Sequence, residues 1–212
     1  MSPRTKEQFQ AMKDATRERI LDTGLMLFAK SGLDAVNVTQ IAREAGISLG
    51  LLYHYFPSKE ELFSALVQMA VTGAMEALSS CEAEDVPPPA KIHRISKMVS
   101  STLTKDNQTA YYFLLLLQAG LAANTQGVSS KPPIDMSFMA APFDYLQGVI
   151  LAGQQTEDVK PGDPGKLAQL YWAAFQGLCL YKITMRRFSP PDAWMLSGML
   201  LTQKGCATIH ED

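Results

Sequence analysis

The chain has 212 residues, 47% apolar and 19% charged, with a formal net charge of −2. That length supports one sizeable core or a small module joined to a larger domain, and that apolar content excludes intrinsic disorder. The near-neutral charge excludes a protein that coats nucleic acid non-specifically, but not local recognition, which depends on where the positive groups sit.

Other classes are disfavoured by what the sequence lacks. The longest apolar run, Ala110 to Leu117, falls short of the roughly 18 residues that span a bilayer, so no membrane partner is expected. The opening MSPRTKEQFQ has no apolar segment behind its charges, as a secretory signal would. Cys81, Cys179 and Cys206 are widely spaced and form no CxxC, which supports neither a disulfide framework nor a zinc site. No metal, no cofactor and a cytoplasmic location are expected. No GxSxG, HExxH, GxGxxG or Walker pattern occurs, so nothing proposes an enzyme or a catalytic residue.

The pattern is helical nearly throughout, with no alternating strand signal. In ATRERILDTGLMLFAKSG, the residues Ile20, Leu21, Gly24, Leu25, Leu27 and Phe28 form one broad stripe, and Gly32 supplies a left-handed stop. A short helix is predicted over Thr39–Ala45 with Thr39 as its cap, broken by Gly46. A third is predicted over Ser48–Tyr55 with Ser48 as its cap, ended by Pro57. Ser58-Lys59-Glu60-Glu61 is an S-x-x-E capping box opening a fourth, longer helix.

CEAEDVPPPA, Cys81 to Ala90, is the strongest boundary signal, because three consecutive prolines do not continue a helix. Beyond it, helices are predicted at about 90–104, 108–124, 137–157, 164–187 and 191–205. Lys91, His93, Arg94 and Lys97 read most simply as a solvated helix face.

Residues 38–55 have the form of a helix-turn-helix, whose second helix enters the DNA major groove. Ile41, Ala45, Ile47, Leu52 and Tyr55 can form the inner seam, and Gly46 sits where the chain needs positive φ. Leu49, Gly50, Tyr53 and His54 are then left facing outward. An exposed Tyr-His pair on a two-turn helix suits phosphate and base-edge contact better than packing. Before Ser58 there are seven Lys/Arg against six Asp/Glu, a weak positive excess.

The run RILDTGLMLFAKSGLDAVNVTQIAREAGISLGLLYHYFPSKEELFSAL, Arg19 to Leu66, resembles the tetracycline-repressor (TetR) family of bacterial transcription regulators. It has the family's T-x-x-I-A-x-x-A-G-I-S helix followed by L-Y-x-Y-F-x-S-K-E-x-L. The resemblance covers roughly the first third of the chain. It implies an all-α fold, with an N-terminal three-helix DNA-binding module joined to a larger helical ligand-binding and dimerisation domain. The division expected is residues 1–60 and 61–212.

Carried over by position, Thr39 and Ser48 would bond phosphates at helix N-termini, Tyr53 and His54 would hold the backbone flank, and Lys59 would reach another phosphate. Leu49, Gly50 and Leu51 occupy the base-facing positions, and Arg43 is a further candidate contact. Many relatives have Lys, Arg or Thr where this chain has Leu49 and Leu51. Leucines there imply thymine-methyl contact and fewer phosphate charges. The basic arm, Arg4 and Lys6, is either a further DNA contact or a solvated tail.

The resemblance also implies a homodimer on a near-palindromic operator, with recognition helices about 34–36 Å apart. The last two helices would form its interface, through Leu167, Leu170, Tyr171, Ala174, Leu178 and Tyr181, with Leu196, Met199 and Leu200 from PDAWMLSGMLL. The candidates for lining an effector pocket are Met69, Met98, Phe113, Leu117, Phe138, Phe143, Tyr145, Trp172 and Phe175. Few charges interrupt these helices, so the expected effector is small and mostly hydrophobic. The function expected is a ligand-responsive regulator, in the family more often a repressor. The alternative is a constitutive helix-turn-helix protein that binds DNA or another protein without a ligand.

Overall fold

A computed structural model describes residues 6–82, 85–105, 107–124 and 140–209. Among the described residues, ten helices run in chain order. They are α1 (Lys6–Ala35), α2 (Val38–Glu44), α3 (Leu49–Tyr55), α4 (Lys59–Glu82), α5 (Pro88–Thr104), α6 (Gln108–Asn124), α7 (Ala140–Gln155), α8 (Pro164–Thr184), α9 (Ala193–Ser197) and α10 (Gln203–Ala207). Among the described residues there is no strand, only one isolated antiparallel bridge, Val159 to Leu201. The chain is all-α, as expected.

The helices pack as two compact units, and α4 and α6 each contribute to both. One unit holds the chain up to Ala70 with α6 from Tyr111 onward; the other holds Val71–Ala110 with α7 to α10.

In the first unit, the predicted stripe of α1 is the buried one: Ile20, Leu21, Gly24, Leu25, Leu27 and Phe28 all lie inside. The Phe28 and Phe63 rings meet edge to face at 5.4 Å. Gly24 lets α4 come close, since a Cβ there would lie 3.0 Å from Leu62. Gly32 interrupts α1 as predicted, but with φ 75° and ψ 167°, a glycine-only extended conformation rather than the left-handed helical one. By length and composition α4 could cross a membrane. Its first half is instead committed to this core through Leu62, Phe63, Leu66, Val67 and Ala70.

In the second unit, α7 packs on α8 and α5 packs on α9 and α7. The basic stretch of α5 is not the solvated face predicted. His93 and Ser96 are buried along with Ile92, Ile95 and Val99. The His93 ring lies 4.1 Å from Trp194, and its Nδ1 is 3.1 Å from the Ser197 hydroxyl. Only Lys97 of that group is fully exposed.

The single helix predicted over 191–205 is two five-residue helices. Between them the backbone leaves the helix to pair with the turn after α7. Lys160 N–H donates to Leu200 C=O at 2.8 Å and Thr202 N–H to Asp158 C=O at 3.0 Å. The Lys160 ammonium also donates to Gly198 C=O at 2.6 Å, and Lys204 to Thr156 C=O at 2.6 Å. Non-local pairing thus overrides the helical pattern.

At the centre of this lock, a Cβ on Gly205 would collide with the Asp158 carbonyl. Gly205→Ala is therefore expected to lower stability by about 1–3 kcal/mol, as overpacking does. Thermal melting checks this; an unchanged midpoint would mean that α10 is not held against the turn.

Candidate nucleic-acid interface

A seven-residue helix has too few hydrogen bonds to persist alone, so α3 must be held by its neighbours. Ser48 caps it, its Oγ accepting from Leu51 N–H at 3.2 Å. Leu52 is wholly buried, and Phe56 closes the other end by donating its N–H to Leu52 C=O at 2.9 Å. The turn before α3 runs through Gly46 at φ 67°, with Ile47 N–H donating to Ala42 C=O at 3.0 Å.

On the other side of the seam, Ile41, Ala42 and Ala45 are buried. Tyr55 is half-buried, and its hydroxyl donates to Lys13 C=O on α1 at 3.2 Å. The inner seam is the one predicted.

The cap of α2 is not. Asn37 rather than Thr39 occupies it, its side chain accepting from Thr39 N–H at 2.9 Å. Asparagine is as strong a cap as any, worth about 1 kcal/mol, so Asn-Val-Thr carried the signal two residues earlier than predicted. With its N–H so engaged, Thr39 retains only its exposed hydroxyl for another partner.

Everything on α3 outside the seam is exposed. Leu49, Leu51 and Tyr53 keep 38%, 39% and 45% of their surface in solvent. Ser48, Gly50 and His54 are exposed beside them. A Cβ on Gly50 would meet nothing within 4 Å, so this position is a notch in the surface rather than a packing glycine. Arg43 lies exposed on α2, 3.9 Å from Glu44, an ion pair too long and too solvated to hold it. Three large apolar or aromatic side chains held in water on two turns cost solvation without stabilising the fold. A partner's groove would relieve that cost.

Lys59 is placed otherwise than predicted. Its ammonium points inward and donates to the carbonyls of Leu33 at 2.9 Å, Val36 at 3.2 Å and Asp34 at 3.4 Å. All three donors of the ammonium are thereby taken up by the turn between α1 and α2. Next to it, Ser58 caps α4 as the capping box predicts, accepting from Glu61 N–H at 3.1 Å.

The effector candidates fall in both units. Met69, Phe113 and Leu117 belong to the first unit, while Met98, Phe143, Tyr145, Trp172 and Phe175 belong to the second. Met69 and Leu117 are exposed, and Phe138 lies outside the described residues. Phe175 is buried core, 5.7 Å from Trp172, whose indole N–H donates to Pro142 C=O at 3.3 Å. A groove of about 440 Å³ in the second unit is lined by Val86, Pro88, Lys91, Asp144, Tyr145, Gly148, Val149 and Ala152. It shares only Tyr145 with the predicted set, and the Tyr145 hydroxyl donates to Cys81 C=O at 2.9 Å.

The interface candidates divide by face. Leu170 and Tyr181 are 63% and 54% exposed on α8, and Met199 is exposed as well. Leu167, Ala174 and Leu178 are half-buried. Tyr171, Leu196 and Leu200 are instead buried within the protomer, which corrects their assignment to a partner contact. The Tyr171 hydroxyl bonds Ser96 at 2.9 Å, and burial pushes its pKa up to about 12. Burial likewise raises the Cys179 thiol to about 12, so it stays protonated and unreactive at neutral pH.

Residues 20–66 match the profile of bacterial regulatory proteins of the tetR family. The chain is 28% identical over 110 residues to the HTH-type transcriptional regulator AcrR of Shigella flexneri, covering 51% of this chain and 49% of that protein. It is 47% identical over 53 residues to the HTH-type transcriptional repressor KstR of Rhodococcus jostii, covering 24% and 25%. The chain thus spans about half or less of the length of these relatives. The solved structure of the ketosteroid transcriptional regulator KstR2 of Mycobacterium tuberculosis has the same fold. It superposes at a TM-score of 0.70 over 88% of this chain and 95% of that one, at 18% identity.

Replacing Lys59 by Met would leave the three carbonyls without their donor, at a cost of about 1–3 kcal/mol. Lys59→Met is expected to lower the melting temperature by roughly 2–4 °C per kcal/mol lost in a chain of this size. An unchanged melting temperature would show that the ammonium is solvated and available to a ligand.

Proposed function

With residues 20–66 forming a tetR-family N-terminal domain, we propose that the chain is a ligand-responsive DNA-binding transcription regulator, working as a homodimer in the cytoplasm. The proposed division is residues 1–60 for DNA and 61–212 for ligand and dimer. The observation that carries this reading is the exposed face of α3, where Leu49, Gly50, Leu51, Tyr53 and His54 are held outward by a capped, anchored helix that their own side chains do not stabilise.

On this reading α3 enters the major groove, with Ser48 and Thr39 hydroxyls donating to phosphates. Tyr53 and His54 contact the sugar-phosphate flank, and Leu49 and Leu51 meet thymine methyls. Gly50 lets the groove edge come close. Ser48 can do this while capping α3, since its oxygen accepts from Leu51 and its hydroxyl hydrogen is left to donate.

The outer face of α8, Leu170 with Tyr181, supports a two-fold partner contact and thus two half-sites of a near-palindrome. The effector proposed is a small, mostly hydrophobic molecule. The fold shared with a ketosteroid regulator is compatible with it, and its site lies in the helical region after α4. The polarity proposed is repression. For the effector to release DNA it must bind the non-binding conformation more tightly by several kcal/mol, since equal affinity shifts nothing.

A duplex selected from a random-sequence library by the purified protein provides the probe. Tyr53→Ala with His54→Ala is expected to abolish binding to that duplex while sedimentation still shows a dimer. Wild-type affinity in the double variant would remove α3 from the groove. Leu170→Glu with Tyr181→Glu is expected to give monomers that bind a single half-site at least tenfold more weakly; a persistent dimer would place the interface elsewhere.

A further inference from the structure

The N-terminal part of α1 overhangs its core. Residues 6–15 are all exposed, and burial begins only at Ile20. At ~100° per residue, Lys6, Lys13 and Arg17 fall within about 40° of one another, in line with the buried Ile20 and Gly24. Glu7, Asp14 and Glu18 form a separate stripe roughly 100° further round. The charges of this segment are therefore sorted by face, with the cations on the side that continues the core-facing surface.

Two contacts fix what that side looks onto. The Tyr55 hydroxyl donates to Lys13 C=O at 3.2 Å, and the Arg17 guanidinium lies 5.4 Å from the centre of the Phe56 ring. Tyr55 is the last residue of α3 and Phe56 its cap. The basic stripe is thus anchored at the C-terminal end of the helix whose outer face carries Tyr53 and His54. Among the described residues, neither Lys13 nor Arg17 pairs with a carboxylate. Phe9, on the same side of the overhang, is 67% exposed.

This bears on a shortage of charge elsewhere. The exposed face of α3 has no Lys or Arg, and the Lys59 ammonium is taken up by three backbone carbonyls. Arg43 is the only Lys or Arg within residues 38–55. Affinity for duplex DNA rests largely on cations that displace counterions from phosphates. We propose that the overhanging face of α1, chiefly Lys13 and Arg17, is a second DNA contact that binds the phosphates flanking the groove occupied by α3. Sequence-independent affinity then comes from α1 and sequence reading from α3. The proposal rests on α3 facing DNA.

The test is binding of the full-length protein to the library-selected duplex and to a scrambled duplex, between 50 and 200 mM salt. Because the homodimer presents each cation twice, Lys13→Gln with Arg17→Gln is expected to reduce the slope of log affinity against log salt by about 3.6, and to weaken both duplexes alike. The loss of affinity across that salt range should be about 150-fold smaller than in wild type. Lys13→Gln alone, which leaves the Arg17–Phe56 contact intact, should reduce the slope by about 1.8, and Arg17→Lys should leave it unchanged. A wild-type slope in Lys13→Gln and in the double variant, with wild-type protein still bound, would overturn the α1 contact and leave the α3 reading standing. Absence of wild-type binding to any duplex would overturn both.

Discussion

One ammonium group and three carbonyl oxygens tie α1, α4 and the turn before α2 to one another. The carbonyls of Leu33 and Asp34 stand at the C-terminal end of α1 and that of Val36 in the turn after it, where a helix leaves its last carbonyls without donors of its own. Lys59 reaches them from the first position of α4 and so fixes three elements to one another. Gly32 makes that turn possible by taking a backbone conformation closed to other residues. The orientation of α2 then follows from where the turn delivers Asn37, and that of α3 from the seam of Ile41, Ala45 and Leu52. The same group that relatives would lead one to assign to DNA is here a structural tie.

That tie shapes how DNA affinity is distributed. The outer face of α3, with Leu, Gly, Leu, Tyr and His, offers shape and apolar surface but no Lys or Arg. With Lys59 turned inward, the cations left at this end are Arg43 and those of α1, sorted by face and anchored to α3 through Tyr55 and Phe56. On the proposed function, division of labour between a reading helix without Lys or Arg and a charged neighbour makes specificity and salt dependence separable properties, located on different elements.

Much of this was legible in the sequence because it rests on local periodicity. The α1 stripe, the Gly46 turn and the buried Leu52 each follow from spacing alone, and so does the outward set on α3. The features that were not legible depend on partners distant in sequence. Lys59 meets carbonyls 23 to 26 residues away, which no helical pattern encodes. The 191–205 segment has helical composition, yet pairing with residues 158–160 breaks it in two. His93 reads as polar and solvated until α9 covers it with Trp194 and Ser197. Tyr171, Leu196 and Leu200 have the apolar character of an interface, but each is already occupied in its own protomer. For the effector candidates, apolar character marks burial without telling core from pocket.

The central claim is that α3 presents its outer face to the DNA major groove. Amide-resolved NMR of the full-length protein, titrated with the library-selected duplex, tests it without any substitution. The account predicts that the largest shifts fall on residues 48–51, 53 and 54, with Lys13 and Arg17 perturbed and the buried Leu52 little changed. Large shifts confined to α7, α8 or α9, with 48–54 unmoved, would contradict it.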